Sequence, residues 1–292
     1  MSLSDASLRA ATLIEALPYL QKFRGQTFVI KYGGSAMESV EAVERLLRDV
    51  VFLEAVGVNP VLVHGGGKAI SARMREAGLT ARFVNGLRVT DADSIRIVEE
   101  VLDLEVNPRL VETMKLFGGH AIGFSGRDVL RAEKLPAVDD GKGGAEDIGF
   151  VGRVTGVEKA EIEKVLREEG VPVISPVARG ADGLTYNINA DEAAAAIAGA
   201  LRAAKLVFLS DVPGIMRDRE GPGSLIPSVR AGQVDALIRQ KVLEGGMIPK
   251  VRGAVAALRD GVGKTHMIDG RLSHALLLEM FNDEAIGTEI VA

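Results

Sequence analysis

The chain contains no cysteine. That absence removes disulfides, thiolate metal sites and cysteine nucleophiles together, and it suits a cytoplasmic protein. Long hydrophobic runs are missing too: the apolar stretch 193–201 ends at Arg202, well short of the roughly 18 residues a membrane helix needs. The amino terminus carries Asp5, Arg9 and Glu15 inside its apolar pattern, so no signal-peptide core is expected. Lysine and arginine are scattered rather than massed, and the net charge of -5 argues against a nucleic-acid partner. There is no internal repeat.

Several familiar motifs are also missing. "GKT" at 263–265 is not a Walker A loop, because Leu258 stands where its first glycine would be. No G-x-G-x-x-G follows a strand, which disfavours a Rossmann dehydrogenase. "HGGG" at 64–67 resembles the oxyanion loop of some esterases, but the G-x-S-x-G elbow they require is absent.

What is present is ample material for a core: 292 residues, 47% of them hydrophobic, enough for one large α/β domain or two lobes. Strand-like runs recur at 27–30, 60–63, 121–124, 171–177, 206–209 and 266–268. Helical patterns lie between most of them, at 40–56, 92–117, 191–201 and 250–260. This alternation predicts a three-layer α/β sandwich with a central, mostly parallel sheet. Two stretches depart from the rhythm, "GLRVT" at 86–90 and "GFVGRVTGV" at 149–157, and both read as hairpins. The polar, glycine-rich segment 127–147 reads as an exposed excursion, and "RDREGPGS" at 217–224 as a surface loop. Before the first strand lies a helical arm with Ser4 as N-cap candidate, which Pro18 is expected to interrupt or kink.

The first strand ends in "KYGGS" and the second in "HGGGK". Glycines where a strand gives way to a helix bring bare backbone amides to the crevice in which open α/β sheets bind anions, and two such loops could hold a polyphosphate from two sides. A single Gly-Gly pair reads more readily as a turn; two pairs at two strand ends make that reading weaker. Asn187, Asn189 and Asp191 precede a helix, Ser210 and Asp211 follow a strand, and Lys250 stands at a helix start. An N-cap explains Asp191 alone and a turn explains Asp211 alone. Lys250 is unfavourable at a positive helix end unless an anion offsets it.

Taken in order, "KYGGSAM", "HGGGKAI", "NGLRVTD", "NINADEAA", "LSDVPGI" and "GGMIPK" resemble the amino acid kinase family, and "GLRVT" is similar to its members that act on N-acetyl-L-glutamate. The resemblance implies transfer of the ATP γ-phosphoryl group to the side-chain carboxylate of N-acetyl-L-glutamate in arginine biosynthesis. A carboxylate with a pKa of about 4.3 is ionised at neutral pH and needs no general base. Catalysis then rests on positive groups around the phosphoryl. The resemblance assigns Lys31 and Lys250 as those cations, with Asp191 holding both. It assigns Gly33, Gly34, Gly65, Ser210, Asp211 and Met247 to the nucleotide, and Gly66, Gly67, Arg88 and Asn187 to the acceptor. For Arg88 a solvated hairpin cation is the plain alternative. His64 reads as a structural or polarising group beside the loop rather than a base. Magnesium (Mg2+) is implied through phosphates and water, with no protein ligand named.

The same resemblance divides the chain into an oligomerising helix at 1–25, an acceptor-binding and dimerising lobe at 26–178, and a nucleotide- and arginine-binding lobe at 179–292. Members with such an arm are hexamers, trimers of dimers, inhibited by arginine, which implies an arginine site of Tyr19, His266 and Glu279. Ala285 departs from the glycine of similar sequences there. A flexible terminal helix, with Glu279 a surface charge, is the alternative. A PII-type signalling protein is left open as a partner. Other readings are a sibling kinase for an aminoadipate-type acceptor and a non-catalytic arginine sensor, although the latter should have lost a lysine or Asp191.

Overall fold

All six strand-like runs lie side by side in one sheet. The computed structural model describes residues 3–37, 39–139, 144–218, 221, 223–281 and 285–292. Eight strands form the central sheet: β1 Thr27–Tyr32, β2 Asn59–His64, β3 Ala121–Phe124, β4 Val171–Ile174, β5 Lys205–Ser210, β6 Ser228–Arg230, β7 Lys264–Asp269 and β8 Thr288–Val291. Their order is β6-β8-β7-β5-β1-β2-β4-β3. From β7 to β3 all neighbours are parallel; β8 runs antiparallel to β7, and β6 pairs parallel with β8. Strand order reverses at β1, which lies between β2 and β5, and such a switch point opens a crevice at the carboxyl ends of the strands.

Alternation along β1 sorts its side chains between two cores. Phe28, Ile30 and Tyr32 pack with Leu47, Val50 and Leu53 of the helix Val40–Ala55. Val29 faces the other layer, with Ala194, Ile197 and Ala198 of the helix Ala190–Leu201. Period two puts Lys31 on the Val29 side, facing the helix that carries Asp191.

Several expectations are corrected. The stretch 149–157 is not a local hairpin: only Gly152–Val157 is a strand, and it pairs antiparallel with Leu130–Lys134 in a separate four-stranded sheet. The segment 127–147 is therefore not wholly an exposed excursion, since Val129, Leu130 and Ala132 are buried; its residues 140–143 lie outside the described residues. The run 171–177 breaks before Pro176, which has no amide for a ladder, and Val177–Gly180 joins the smaller sheet. The pattern 92–117 divides into the helices Ala92–Glu99 and Asn107–Leu116 around a π-helical segment, Glu100–Val106. Pro108, lacking a donor, sits where the α ladder resumes. The amino-terminal helix Leu3–Phe23 runs uninterrupted through Pro18, while the Ser4 side chain lies outside the described residues. "GLRVT" is a hairpin as expected, pairing Phe83–Val84 with Leu87–Arg88. The segment 217–224 closes on itself through the Arg217 amide and the Ser224 carbonyl, with residues 219, 220 and 222 outside the described residues. No described helix is long and apolar enough to cross a membrane.

Candidate active site

The two glycine loops touch each other. The Gly65 amide donates to the Tyr32 carbonyl at 2.7 Å, and a Cβ on Gly65 would stand 3.4 Å from the Gly33 Cα. Gly34 has φ +73°, a left-handed conformation that favours glycine, and a Cβ on Gly66 would meet the Leu102 side chain at 2.5 Å. Glycine at these positions therefore lets the backbones of both loops approach one cleft.

Lys31, from the end of β1, places Nζ 2.9 Å from Asp191 Oδ1. Lys250, from the first turn of the helix Met247–Arg259, donates to Asp191 Oδ2 at 2.6 Å, with its Nζ 5.3 Å from the Phe208 ring centroid. The two lysine side chains are 12% and 13% exposed, so one carboxylate balances two largely buried cations. Burial alone would push the Asp191 carboxyl up, but Lys31 and Lys250 hold it below the ordinary range. Burial pulls the Lys250 ammonium down, opposed by Asp191 and reinforced by Lys31. Asp191 is set by its neighbour Asn189, whose Oδ1 accepts from the Asp191 and Glu192 amides and caps the helix.

Arg88 is buried rather than a solvated hairpin cation. Its guanidinium donates to the Gly67 carbonyl and Ser71 Oγ, both at 2.8 Å, and lies 4.7 Å from the centroid of the Phe83 ring. Burial lowers its pKa, yet arginine remains charged. Among the described residues it forms no ion pair with a carboxylate, so its positive charge is directed to the cleft without a protein counter-ion. Asn187, at the end of the strand Thr185–Asn187, donates to Thr90 Oγ1 at 3.2 Å. Arg88 and Asn187 line a cleft of about 460 Å³ together with Lys31, Asp191 and the two glycine loops, Gly33, Gly34, Gly65, Gly66 and Gly67 among them. The sequence reading passed over Arg109, Phe83 and Leu102, which line it too. An aromatic beside the hairpin and an arginine on the helix after the π segment were the only available signals.

Ser210, Asp211 and Met247 line a second cleft, of about 800 Å³, walled by Pro213, Ile215 and Leu243 and reaching Lys250. Lys31 and Lys250 thus stand in different clefts and meet at Asp191. The structure keeps the glycines of the nucleotide set, Gly33, Gly34 and Gly65, in the first cleft, apart from Ser210, Asp211 and Met247.

Tyr19, His266 and Glu279 gather in a third cleft, of about 400 Å³, with Lys22, Lys205, Lys264, Glu289 and Ala285. Glu279 is buried, not a surface charge: Oε1 lies 2.7 Å from His266 Nδ1, and Oε2 accepts from the Ile286 amide at 3.1 Å. Burial pulls the His266 imidazole down, and its Nε2 has no hydrogen-bond partner among the described residues. Tyr19 meets Phe281 edge to face at 6.2 Å.

Two adjoining clefts at the switch point of a parallel sheet, joined by two lysines sharing one carboxylate, suit phosphoryl transfer between anions, and sequence comparison gives the class. The pattern of the amino acid kinase family matches residues 26–269, and the chain belongs to that family. More particularly, it is similar to acetylglutamate kinase of Heliobacterium modesticaldum, with 48% identity over 97% of this chain and 98% of that protein. It is equally similar, at 48%, to acetylglutamate kinase of Akkermansia muciniphila, over 97% of this chain and 95% of that one. Among solved structures it resembles N-acetylglutamate synthase from Neisseria gonorrhoeae complexed with coenzyme A and N-acetyl-glutamate, at a TM-score of 0.84 and 27% identity over 97% of this chain. The same synthase with coenzyme A and L-arginine gives 0.79 and 26%. The chain spans 63% to 65% of the length of the synthase chains.

Proposed function

We propose that this protein is an ATP-dependent kinase that phosphorylates the side-chain carboxylate of N-acetyl-L-glutamate, forming an acyl phosphate in arginine biosynthesis. The observation that carries this reading is the Lys31–Asp191–Lys250 cluster at the junction of two clefts, one of them holding the uncompensated Arg88. The similarity to acetylglutamate kinases over nearly the whole chain supports the choice of acceptor.

In this mechanism Arg88 binds an acceptor carboxylate through its planar fork and Asn187 orients the acceptor, with Gly66 and Gly67 approaching it closely. The nucleotide occupies the second cleft against Ser210, Asp211 and Met247, and its phosphates reach the amides of Gly33 and Gly34 and pass close beside Gly65, whose own amide is held by the Tyr32 carbonyl. The ionised side-chain carboxylate attacks the γ-phosphorus while the bond to the β-phosphate oxygen breaks. Lys31 faces the acceptor side and Lys250 the leaving side, so negative charge is stabilised at both ends as it moves. Asp191 keeps the two ammonium groups from repelling each other and fixes their directions. Magnesium would neutralise phosphate charge. Both Asp191 oxygens are taken by lysines, and no three acidic or histidine side chains converge among the described residues, so the donor set fits an ion carried by phosphates and water. The test is hydroxamate formation from ATP, Mg2+, N-acetylglutamate and hydroxylamine; reaction with an aminoadipate-type acceptor but not with N-acetylglutamate would overturn the reading.

We further infer that arginine binds the third cleft and inhibits. The unpaired acceptor His266 Nε2 and the carboxylates Glu279 and Glu289 suit a guanidinium, and the related synthase has been solved with L-arginine. The proposed organisation assigns residues 1–25 to assembly of a homohexamer, 26–178 to the acceptor and 179–292 to nucleotide and arginine. It works in the cytoplasm, where ATP is available, with a PII-type protein as a candidate partner.

A further inference from the structure

His64 is fully buried at the end of β2, and both of its ring nitrogens are engaged. Nδ1 lies 2.9 Å from the Gly65 carbonyl oxygen, which can only accept, so Nδ1 carries the proton. That leaves Nε2 as an acceptor, and Asn107 Nδ2 donates to it at 3.1 Å. The same amide nitrogen donates to the Val173 carbonyl at 2.9 Å, tying the ring to β4. Asn107 is itself buried, and its Oδ1 fills the space beside Gly123, where a Cβ would stand 2.2 Å away. Burial pulls the imidazole down to about 4, against the opposing hydrogen bond to Gly65, so the ring is neutral at physiological pH and holds one tautomer.

A planar trans peptide points its C=O and N–H in opposite directions. With the Gly65 carbonyl drawn back onto the buried ring, the Gly66 N–H of the same peptide is turned away from it. That amide has no acceptor among the described residues, and both glycines line the cleft beside Lys31. We propose that His64 and Asn107 are positioning residues: they hold the peptide between Gly65 and Gly66 so that the Gly66 amide donates to the transferring phosphoryl group. This rests on the phosphoryl-transfer reading above. It also explains a histidine beside a phosphate loop in a reaction that needs no base.

The test exploits amide geometry. Asparagine puts its Nδ2 where the histidine Nδ1 was, whereas glutamine puts its amide nitrogen at the Nε2 position. H64Q therefore loses the donor to Gly65 and is expected to lower kcat by about 10²-fold, the usual effect of losing one oxyanion donor, with little change in either KM. H64N, which keeps that donor, is expected to recover most of the loss. Independently, ¹⁵N spectra of the wild-type histidine rings, with the other three rings assigned by their absence in variants at His120, His266 and His274, should show for His64 a protonated Nδ1 and a bare Nε2 from pH 6 to 8. Equal kcat for the two variants, or a proton on Nε2, would overturn the proposal. Should either variant fail to fold, the wild-type tautomer still decides. A wild type that makes no acyl phosphate from N-acetylglutamate would instead overturn the proposed function, which the tautomer does not touch.

Discussion

At the scale of single residues, the arrangement separates groups that stabilise the transition state from groups that bind. Lys250→Ala and Lys31→Ala should each lower kcat by about 10² to 10³ with modest change in KM, because their charge matters most while negative charge shifts between oxygens. Arg88→Lys should behave oppositely. A lysine lacks the planar fork, so the KM for N-acetylglutamate should rise about tenfold with the KM for ATP unmoved. Steady-state kinetics with each substrate varied separates the two patterns. Asp191→Asn tests the shared carboxylate through pH. Burial already lowers the Lys250 pKa and Asp191 opposes that shift, so removing the negative charge lowers it further. Activity that needs a protonated Lys250 should then fall away at lower pH than in the wild type, and an unmoved alkaline limb in the pH–rate profile would exclude Asp191 from that role.

At the scale of elements, one ion pair, buried on the Asp49 side and half exposed on the His274 side, ties the second helix to the last one among the described residues. Asp49 of Val40–Ala55 lies 2.5 Å from His274, the residue before the helix Ala275–Met280 that carries Glu279. His274 has φ 56°, a left-handed conformation uncommon outside glycine, though histidine takes it more readily than most side chains. Burial raises the Asp49 carboxyl from 3.8 to about 6, with the His274 hydrogen bond opposing. Between those values the native state binds more protons than the unfolded chain, so this residue's contribution to stability falls as pH rises through that window. Asp49→Asn keeps an acceptor for His274 without a buried charge. It should be more stable than the wild type by about 2 kcal/mol at pH 7, with the difference narrowing toward pH 4, as judged by urea unfolding at both values.

At the scale of the whole molecule, the amino-terminal helix is the part on which the proposed assembly rests. Leu8, Leu13 and Ile14 are 70%, 64% and 68% exposed, an apolar surface suited to packing on a second copy, while Tyr19 farther along the helix reaches the third cleft. Deleting residues 1–22 should leave active dimers that ignore arginine; light scattering with a kinase assay decides, and an arginine-sensitive hexamer would refute the assignment. The cleft should also sense pH. Burial chiefly lowers Lys205 to about 8, among Lys22, Lys264, Glu279 and Glu289. Arginine is a cation, so its affinity should rise as pH passes from 7 to 8.5 and Lys205 loses its charge; calorimetric titration at both values measures this.

Local order was written in the sequence. Apolar periodicity located the six strand runs and the four longest described helices, Leu3–Phe23, Val40–Ala55, Ala190–Leu201 and Met247–Arg259, because the alternation of two and the repeat of 3.6 are short-range properties of the chain. The paired glycines at the ends of two strands marked the crevice for the same reason, and the resemblance, not the local pattern, singled out Lys31. Tertiary structure decided whatever depends on partners distant in the chain. Leu130–Lys134 pairs with Gly152–Val157, which no local pattern announces. Burial of Arg88 depends on Phe83, Ser71 and the helix start at Gly67, and only folding turns it from a hairpin cation into a charge without a counter-ion. Asn107 looked like one more position in a helical pattern until packing set its amide between His64 and Val173. Asp191 had an ordinary local explanation as an N-cap, while Lys250 at a helix start called for an anion that no local pattern supplied. Only the sheet order, which lays β5 beside β1 and the helix Ala190–Leu201 across them, brings two cations onto one carboxylate, and burial gives that meeting its energetic weight.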